Sequence, residues 1–390
     1  MQQCIRFMAT YSILPAAMIA LYYTTLFLLA AYTVLLLYYA RWWQQTPVYK
    51  KQTTKEPVAV TVIVPARNEA ANIKACLQSL LNQQYPHHLL QIIVVNDQSE
   101  DATATIVKNT AGNSVLLLTT DTGFQTAPKK RAIEKAITHA TGELIITTDA
   151  DCITPNSWVA TLVDYYQQTG AVFIAAPVNM AAGKSLVSIF QTVDFLTMQG
   201  ITAGVVHRRF TNMCNGANLA YTKKAFEAVG GFKNIDAIAS GDDMLLMHKI
   251  ANHFPGKVGF IKSENATVTT LPVNSWKAFL QQRIRWASKA THYKEQALFA
   301  VLLLVYCCNF SMLILIVTGL LINLWWLVGA FVFIKFFAEL LLVGPVLKFF
   351  KQKKLWPWLL LLQPLHIVYI IMAGFLGQVK TYHWKGRRLK

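Results

Sequence analysis

Charge is scarce in this chain: 14% of its 390 residues are Asp, Glu, Lys or Arg, against about 25% in an ordinary soluble domain. That shortage argues against a wholly water-soluble globular protein. Acidic residues are the rarer sign, 19 against 36 Lys plus Arg, which leaves a net charge of +17. Cysteine is sparse and badly spaced for chemistry. Cys4, Cys76, Cys152, Cys214, Cys307 and Cys308 form no C-x-x-C pair, which argues against a disulfide framework or a zinc cage. There is no internal repeat and no low-complexity linker. What is abundant is apolar sequence, 54% of residues, and it is unevenly placed. Both ends carry long apolar runs and the middle reads as an ordinary domain, so disorder is excluded, as is a polytopic protein made only of helices.

Residues 1–13 form an N-terminal tail and Leu14 to Tyr39 is an uncharged run longer than the ~20 residues that cross a bilayer. It is too long for a signal peptide and lacks a cleavage site. Arg41, Trp42, Trp43, Lys50, Lys51 and Lys55 follow within a basic juxtamembrane linker, 40–57, which predicts that the downstream side is cytosolic. From 58 to 274, short β-branched runs (58–64, 89–95, 115–119, 143–148, 171–176) alternate with amphipathic stretches, predicting a parallel, doubly wound sheet. Such a sheet binds ligands beyond the carboxyl ends of its strands. A basic helix from Trp276 to Lys294, within segment 275–296, leads into two or three membrane segments over 297–379, the first two joined near Asn323. The third run conflicts with its basic tail, 380–390. If it crosses, the tail lies outside, yet Lys380, Lys385, Arg387, Arg388 and Lys390 favour the cytosol. Pro345, Pro357 and Pro364 make a re-entrant or interfacial segment the natural resolution.

Polar residues follow the apolar runs, as the sheet requires. Asp149-Ala150-Asp151 comes straight after ELIITT, and two carboxylates spaced this way can hold a hard divalent cation while leaving positions for phosphate oxygens. A solvated turn is the plain alternative, and the position after a buried strand disfavours it. Lys129, Lys130 and Arg131 open a helix after Pro128, where positive charge opposes the helix dipole unless an anion such as a diphosphate binds. A solvated basic cap is the alternative there. Pro65-Ala66-Arg67-Asn68-Glu69 and Asp97 lie on the same edge and are placed to read a base and ribose, although Glu69 and Asp101 also fit simple helix capping. Asp242 and Asp243 precede the helix MLLMHKI; one is explained as an N-cap, and a second is a candidate base toward a hydroxyl. Asn215-Gly216-Ala217-Asn218 is a small loop where backbone can approach a sugar, or a simple turn. On the basic helix, Gln282, Arg285 and Trp286 allow either headgroup contact or sugar stacking and diphosphate binding.

In this order, the segments VIVPARNEAANI, VVNDQSEDAT, PKKRAIEKAI, D-x-D, NGANLAYTKKAFEAVGGF, SGDD and Q-x-x-R-W resemble the membrane-bound family 2 glycosyltransferases, the group of cellulose, chitin and hyaluronan synthases and ceramide glucosyltransferases. The resemblance spans roughly residues 58 to 290. It implies an α/β fold of the GT-A kind, a Rossmann-like nucleotide-diphospho-sugar transferase domain flanked by transmembrane helices. It also implies a nucleotide-sugar donor, expected to be a UDP-sugar, Mg2+ or Mn2+, and inversion at the anomeric carbon. Carried over position by position, Asp97 contacts the base with Pro65, Arg67 and Glu69 nearby, and Lys129 and Arg285 contact the diphosphate. Asp149 lies by ribose and metal, Asp151 is the main metal ligand, and Asp243 is the base with Asp242 in reserve. Asn215, Gly216, Gln282 and Trp286 serve the acceptor. Two departures stand out: Asn96 replaces an acidic residue, and Arg131 and Glu134 replace a small residue and Asn, leaving Lys129 and Lys130 as rival diphosphate contacts.

The function expected is transfer of one sugar to a lipid or lipid-linked acceptor, by a multi-pass protein of the cell (inner) membrane whose catalytic domain is cytosolic. A processive polysaccharide synthase is the alternative, disfavoured because so few segments must then enclose a channel. A nucleotidyltransferase needs a Gly-rich loop, and PARNEAANI has no glycine. A noncatalytic scaffold has no use for the Asp149, Asp151 and Asp243 set. The basic residues border apolar spans rather than covering the central domain, so the charge points to a membrane surface and a phosphorylated donor, with no nucleic acid as partner.

Overall fold

The computed structural model describes residues 16–52, 55–121, 127–210, 213–238, 241–287, 296–379, 382–384 and 387–389. At its centre is a seven-stranded sheet in the order β3-β2-β1-β4-β7-β5-β8. The strands are β1 Val60–Ala66, β2 Leu90–Asn96, β3 Leu116–Thr119, β4 Leu144–Thr147, β5 Phe173–Ala175, β7 Leu219–Thr222 and β8 Val258–Phe260, while β6 Val178–Met180 pairs separately with β9 Val268–Thr270. β1 runs parallel to β2 and β4, and its residues are buried on both faces, which is why it reads as an unbroken apolar run.

The wholly parallel sheet expected from the sequence is not what forms. β7 runs antiparallel to both β4 and β5. The register explains the use of that reversal, since Leu219 pairs with Thr147 at the carboxyl end of β4. An antiparallel strand begins where its parallel neighbours finish, so the loop leading into β7 is delivered to the edge that carries Asp149 and Asp151.

Helices α1 Ala16–Gln45, α2 Ile73–Leu81, α3 Thr103–Ala111, α4 Pro128–His139, α5 Trp158–Thr169, α6 Leu186–His207, α7 Lys223–Ala228, α8 Met244–His253 and α9 Trp276–Ala287 are followed by α10 Gln296–Leu321, α11 Trp325–Phe349, α12 Trp356–Leu361 and α13 Gln363–Val379. α1, α10 and α11 are long and apolar enough to cross a membrane, and α12 with α13 form a pair bent by 75°. α10 and α11 turn at Asn323, whose φ of 60° is the left-handed conformation Asn tolerates. The N-terminal span does not stop at Tyr39. It continues through Arg41, Trp42 and Trp43, and these tryptophans pack on protein rather than standing free as interface anchors: Trp43 is 3% exposed, and Trp42 lies 5.2 Å from the Phe210 ring. The basic helix expected to Lys294 is helical to Ala287, and 288–294 lie outside the described residues.

The sheet domain meets the apolar helices at several points among the described residues. α6 carries Gly200 and Gly204 one turn apart, and a Cβ at Gly200 would stand 2.3 Å from Val346 of α11, one at Gly204 3.0 Å from Trp42 of α1. These small residues permit backbone approach closer than any side chain allows. Lys262, beside β8, donates from Nζ to the Trp43 and Thr46 carbonyls at 2.7 and 3.2 Å and lies 3.8 Å from the Trp43 ring centroid. It thereby caps carbonyls at the end of α1 with a positive charge, the favourable sign there. Lys351, in the basic loop after α11, pairs with Glu264 of the sheet domain at 2.5 Å. α13 packs on α9, and β10 Tyr382–Trp384, paired with β11 Arg387–Leu389, also lies against α9. The 75° bend between α12 and α13 fits a broken span and a re-entrant loop alike.

Candidate functional site

Two loops meet beyond β1 and β2. Arg67 Nη1 donates to the Asp97 and Gln98 carbonyls, each at 2.8 Å, and Nη2 pairs with Glu100 at 3.2 Å. Asn68 and Gln98 adopt positive φ, the tight bends that let the loops exchange bonds. Glu69 donates its backbone N–H to Thr103 and accepts from Asn72, while the Ala70 N–H donates to Asp101. Asp101 also accepts from the Thr103 N–H and hydroxyl, and these bonds outweigh its slight burial and lower its pKa. The N-cap of α3 is Ala102, with no side-chain cap, so Asp101 ties Ala70 to Thr103 ahead of that helix instead of capping it, and Glu69 and Arg67 brace the loop floor. Asp97, 5% exposed, accepts from the Thr120 hydroxyl at 2.8 Å, which leaves its position at the strand end fixed. Pro65 lies in β1 itself, opposite Val95.

The second group gathers beyond β4. Lys129, at the start of α4, donates to Asp149 Oδ1 at 2.7 Å and lies 3.2 Å from Asp242 Oδ2. Burial alone lowers the Lys129 pKa, and the Asp149 and Asp242 carboxylates overcome that and raise it above its ordinary value, so the ammonium is retained. Lys130 points elsewhere: 1% exposed, it donates to the Ile235 and Ile238 carbonyls. Of the two lysines, Lys129 is thus the one that stands among the Asp149 and Asp242 carboxylates. Gly216 adjoins the same group, and a Cβ there would meet Lys129 Nζ at 3.0 Å and Asp242 Oδ2 at 3.2 Å.

Asp243 is the N-cap of α8. It accepts from the Met244 N–H at 2.7 Å and from the Gly216 N–H at 3.2 Å, while Asp242 turns toward Lys129. The sequence expectation that one of the two caps is met, and the capping residue is the one cast as base. Asn215 accepts from the Ala217 N–H, and Asn218 is wholly internal, joined to Trp158, Pro177 and Ala266. Asp151 accepts from the Thr270 hydroxyl at 3.3 Å, a partner that sequence spacing had no means to indicate.

Among the described residues no three His, Cys, Asp or Glu side chains are grouped to hold a metal. Asp149 and Asp151 supply hard carboxylate oxygens from one turn, which suits a divalent cation that completes its shell with phosphate oxygens. The Lys129 ammonium shared by Asp149 and Asp242 shows that positive charge is favoured at this edge.

The third group lies on α9. Gln282 accepts from Gln191 of α6 at 3.0 Å, and Gln191 accepts from the Val273 N–H at 2.9 Å. Trp286 packs near Phe195, and Arg285 is half buried on the same helix. The sequence reading left out Asp194, which pairs with the buried Arg283 at 2.6 Å. It also left out α6 as a whole. Its apolar residues are interrupted by Gln191, Thr192, Asp194, Thr197 and Gln199, so no unbroken run marked it.

Comparison with known proteins bears on the family and the fold. Residues 61–227 match the Glycosyl transferase family 2 description. A probable glycosyltransferase, YdaM, of Bacillus subtilis is 28% identical over 249 residues, 60% of this chain and 56% of that protein. The 4,4'-diaponeurosporenoate glycosyltransferase of Staphylococcus aureus is 29% identical over 223 residues, 57% of this chain and 54% of that protein. The chain thus spans about half the length of the curated relatives it matches. A mannosyltransferase from Pyrobaculum calidifontis, solved with GDP-Man and Mn2+, superposes with a TM-score of 0.59 at 22% identity, covering 92% of this chain and 99% of the other. The fold is GT-A, and the match over residues 61–227 supports a family 2 glycosyltransferase domain there.

Proposed function

We propose that this family 2 domain is an inverting glycosyltransferase that moves a sugar from a nucleotide-diphospho-sugar to a hydroxyl of a lipid or lipid-linked acceptor at the cytosolic face of the membrane. The observation that carries the reading is the meeting of Lys129, Asp149, Asp242, Gly216 and Asp243 at one strand edge. Lys129 neutralises charge on the departing diphosphate, the kind of electrostatic contribution that usually dominates. Arg285 adds a second cation from α9. Asp243, fixed by two backbone N–H groups, takes the acceptor proton as the acceptor oxygen bonds to the anomeric carbon and the bond to the diphosphate breaks. Asp97, Pro65, Arg67 and Glu69 border the nucleoside. Asn215, Gly216, Gln282 and Trp286 border the acceptor. Asp149 and Asp151 would hold Mg2+ or Mn2+, which would supply further neutralisation of the diphosphate.

Membrane association rests on α1, α10 and α11, and the cytosolic assignment on the basic residues near their sheet-domain ends, Lys50, Lys51 and Lys351 to Lys354. A lipid-like acceptor gains support from the name of the staphylococcal relative. The test is to give the purified full chain a panel of UDP-, GDP- and dTDP-sugars with magnesium or manganese and to measure nucleotide release. Release from one donor, absent in Asp243→Asn, is expected; no release from any donor above that variant's background overturns the reading. Label appearing only in high-molecular-weight, glycanase-sensitive product instead identifies a polymerase.

A further inference from the structure

α6 acts as a template for α9 through residues spaced to lie on one face. Gln191 holds Gln282, and one turn on, Asp194 Oδ2 lies 2.6 Å from Arg283 Nη2. Phe190 packs edge-on against Phe279, and Phe195 lies near Trp286. The Arg283 guanidinium sits 4.1 Å from the Trp286 ring centroid and 5.0 Å from that of Phe279, and the residue is 3% exposed. An interhelix brace alone calls for an ion pair; here the same guanidinium also fixes the plane of the tryptophan.

The other side of Asp194 faces a cavity of about 220 Å³ between α6 and the apolar helices. Leu35, Val193, Ile201, Val301 and Leu342 form much of its wall. Its mostly apolar lining beside membrane-spanning helices suits a hydrocarbon chain, and Asp194 stands where that space adjoins the helix carrying Gln282 and Trp286.

We propose that Asp194 and Arg283 are positioning residues for the acceptor: the pair orients Trp286 and sets α9 beside the cavity that receives the acceptor's apolar chain. The inference rests on the lipid-acceptor reading above. It makes the ion pair a determinant of acceptor use and not of donor use.

The test uses the full chain in lipid nanodiscs. Label from the donor found in the nucleotide-release panel is followed into an organic extract of membranes from cells expressing the protein, with the extract titrated as acceptor. Asp194→Asn and Arg283→Gln are expected to raise the apparent KM for the extract by about tenfold with the nucleotide-sugar KM within twofold of the unaltered chain. The swap Asp194→Arg with Arg283→Asp is expected to restore much of the loss. A parallel rise in both KM values, or unchanged transfer, overturns the proposal. Should these variants misfold, diazirine-labelled hexadecanol supplies an independent measurement: crosslinks are expected on α6 and α11 and should disappear in Ile201→Trp. Labelling spread evenly over the lipid-facing surface of α1 and α10 overturns it. Nucleotide release without any lipid product also overturns it, while leaving the glycosyltransferase chemistry standing.

Discussion

Lys129 and Lys335 make the same kind of bond in opposite settings. Lys129 is shared between Asp149 and Asp242, and the Asp149 side chain is 38% exposed, so the group opens to solvent and to an arriving ligand. Lys335, on α11, is wholly buried; it pairs with Glu339, donates to Gln363 at 2.9 Å and lies 3.4 Å from His366. Tyr32 of α1 and Gln363 both donate to Glu339. The second cluster thus saturates itself across three helices. Charge inside an apolar bundle is costly and survives only when paired, whereas charge at a strand edge can remain accessible for chemistry. The two lysines separate the task of holding helices together from the one proposed for Lys129, meeting a diphosphate.

The comparison is broken most sharply at the open site. Asp243→Asn is expected to reduce transfer by about 10²–10⁴-fold, the usual contribution of a general base, with membrane insertion and thermal unfolding unchanged. Asp151→Asn should abolish transfer while leaving the protein folded, and activity within a few-fold of the unaltered chain would remove its assigned role. At the closed site the sign is reversed: Lys335→Met should cost about 3–5 kcal/mol of stability by stranding Glu339, and adding Glu339→Leu should recover most of it. Thermal unfolding in detergent distinguishes these outcomes. A smaller effect separates the neighbouring lysines. Lys129→Ala should lower nucleotide release by about 10²-fold, in the range found for losing one transition-state donor, whereas Lys130→Ala should lower stability by loosening the 235–238 segment.

The smallest expected effect belongs to Lys262, a third setting, in which a lysine has carbonyl partners and no carboxylate. Burial lowers its pKa from 10.5 to about 8. The folded chain then binds fewer protons than the unfolded chain between about pH 8 and pH 10.5, so this group makes stability rise with pH across that window. Denaturation followed from pH 7 to pH 10 should show that rise, and Lys262→Met should flatten it.

Much of the open site was legible because its chemistry is local: Asp149 and Asp151 follow a buried strand, and α4 begins at Pro128 beside Lys129. Choosing Lys129 over Lys130 was not legible, since adjacent helical residues point about 100° apart and only the distant 235–238 carbonyls decide which is consumed. The reversal of β7 was equally hidden, because LAYT is short and its direction is set by pairing with β4 and β5. Glu69 could be read as ligand or cap, and its bonds to Asn72 and Thr103 place it in the loop's framework. Gln282 was picked out by motif; its partner Gln191 is 91 residues away, beyond any local pattern.

The glycines of α6 have a mechanical consequence. With Val346 and Trp42 seated where methyl groups would otherwise stand, α6 holds the sheet domain at a fixed distance from α1 and α11. On the lipid-acceptor reading proposed above, an acceptor anchored by its chain can vary in lateral position but not in depth, so the distance from its anchor to its reactive hydroxyl is measured against a ruler whose zero mark is two absent methyls.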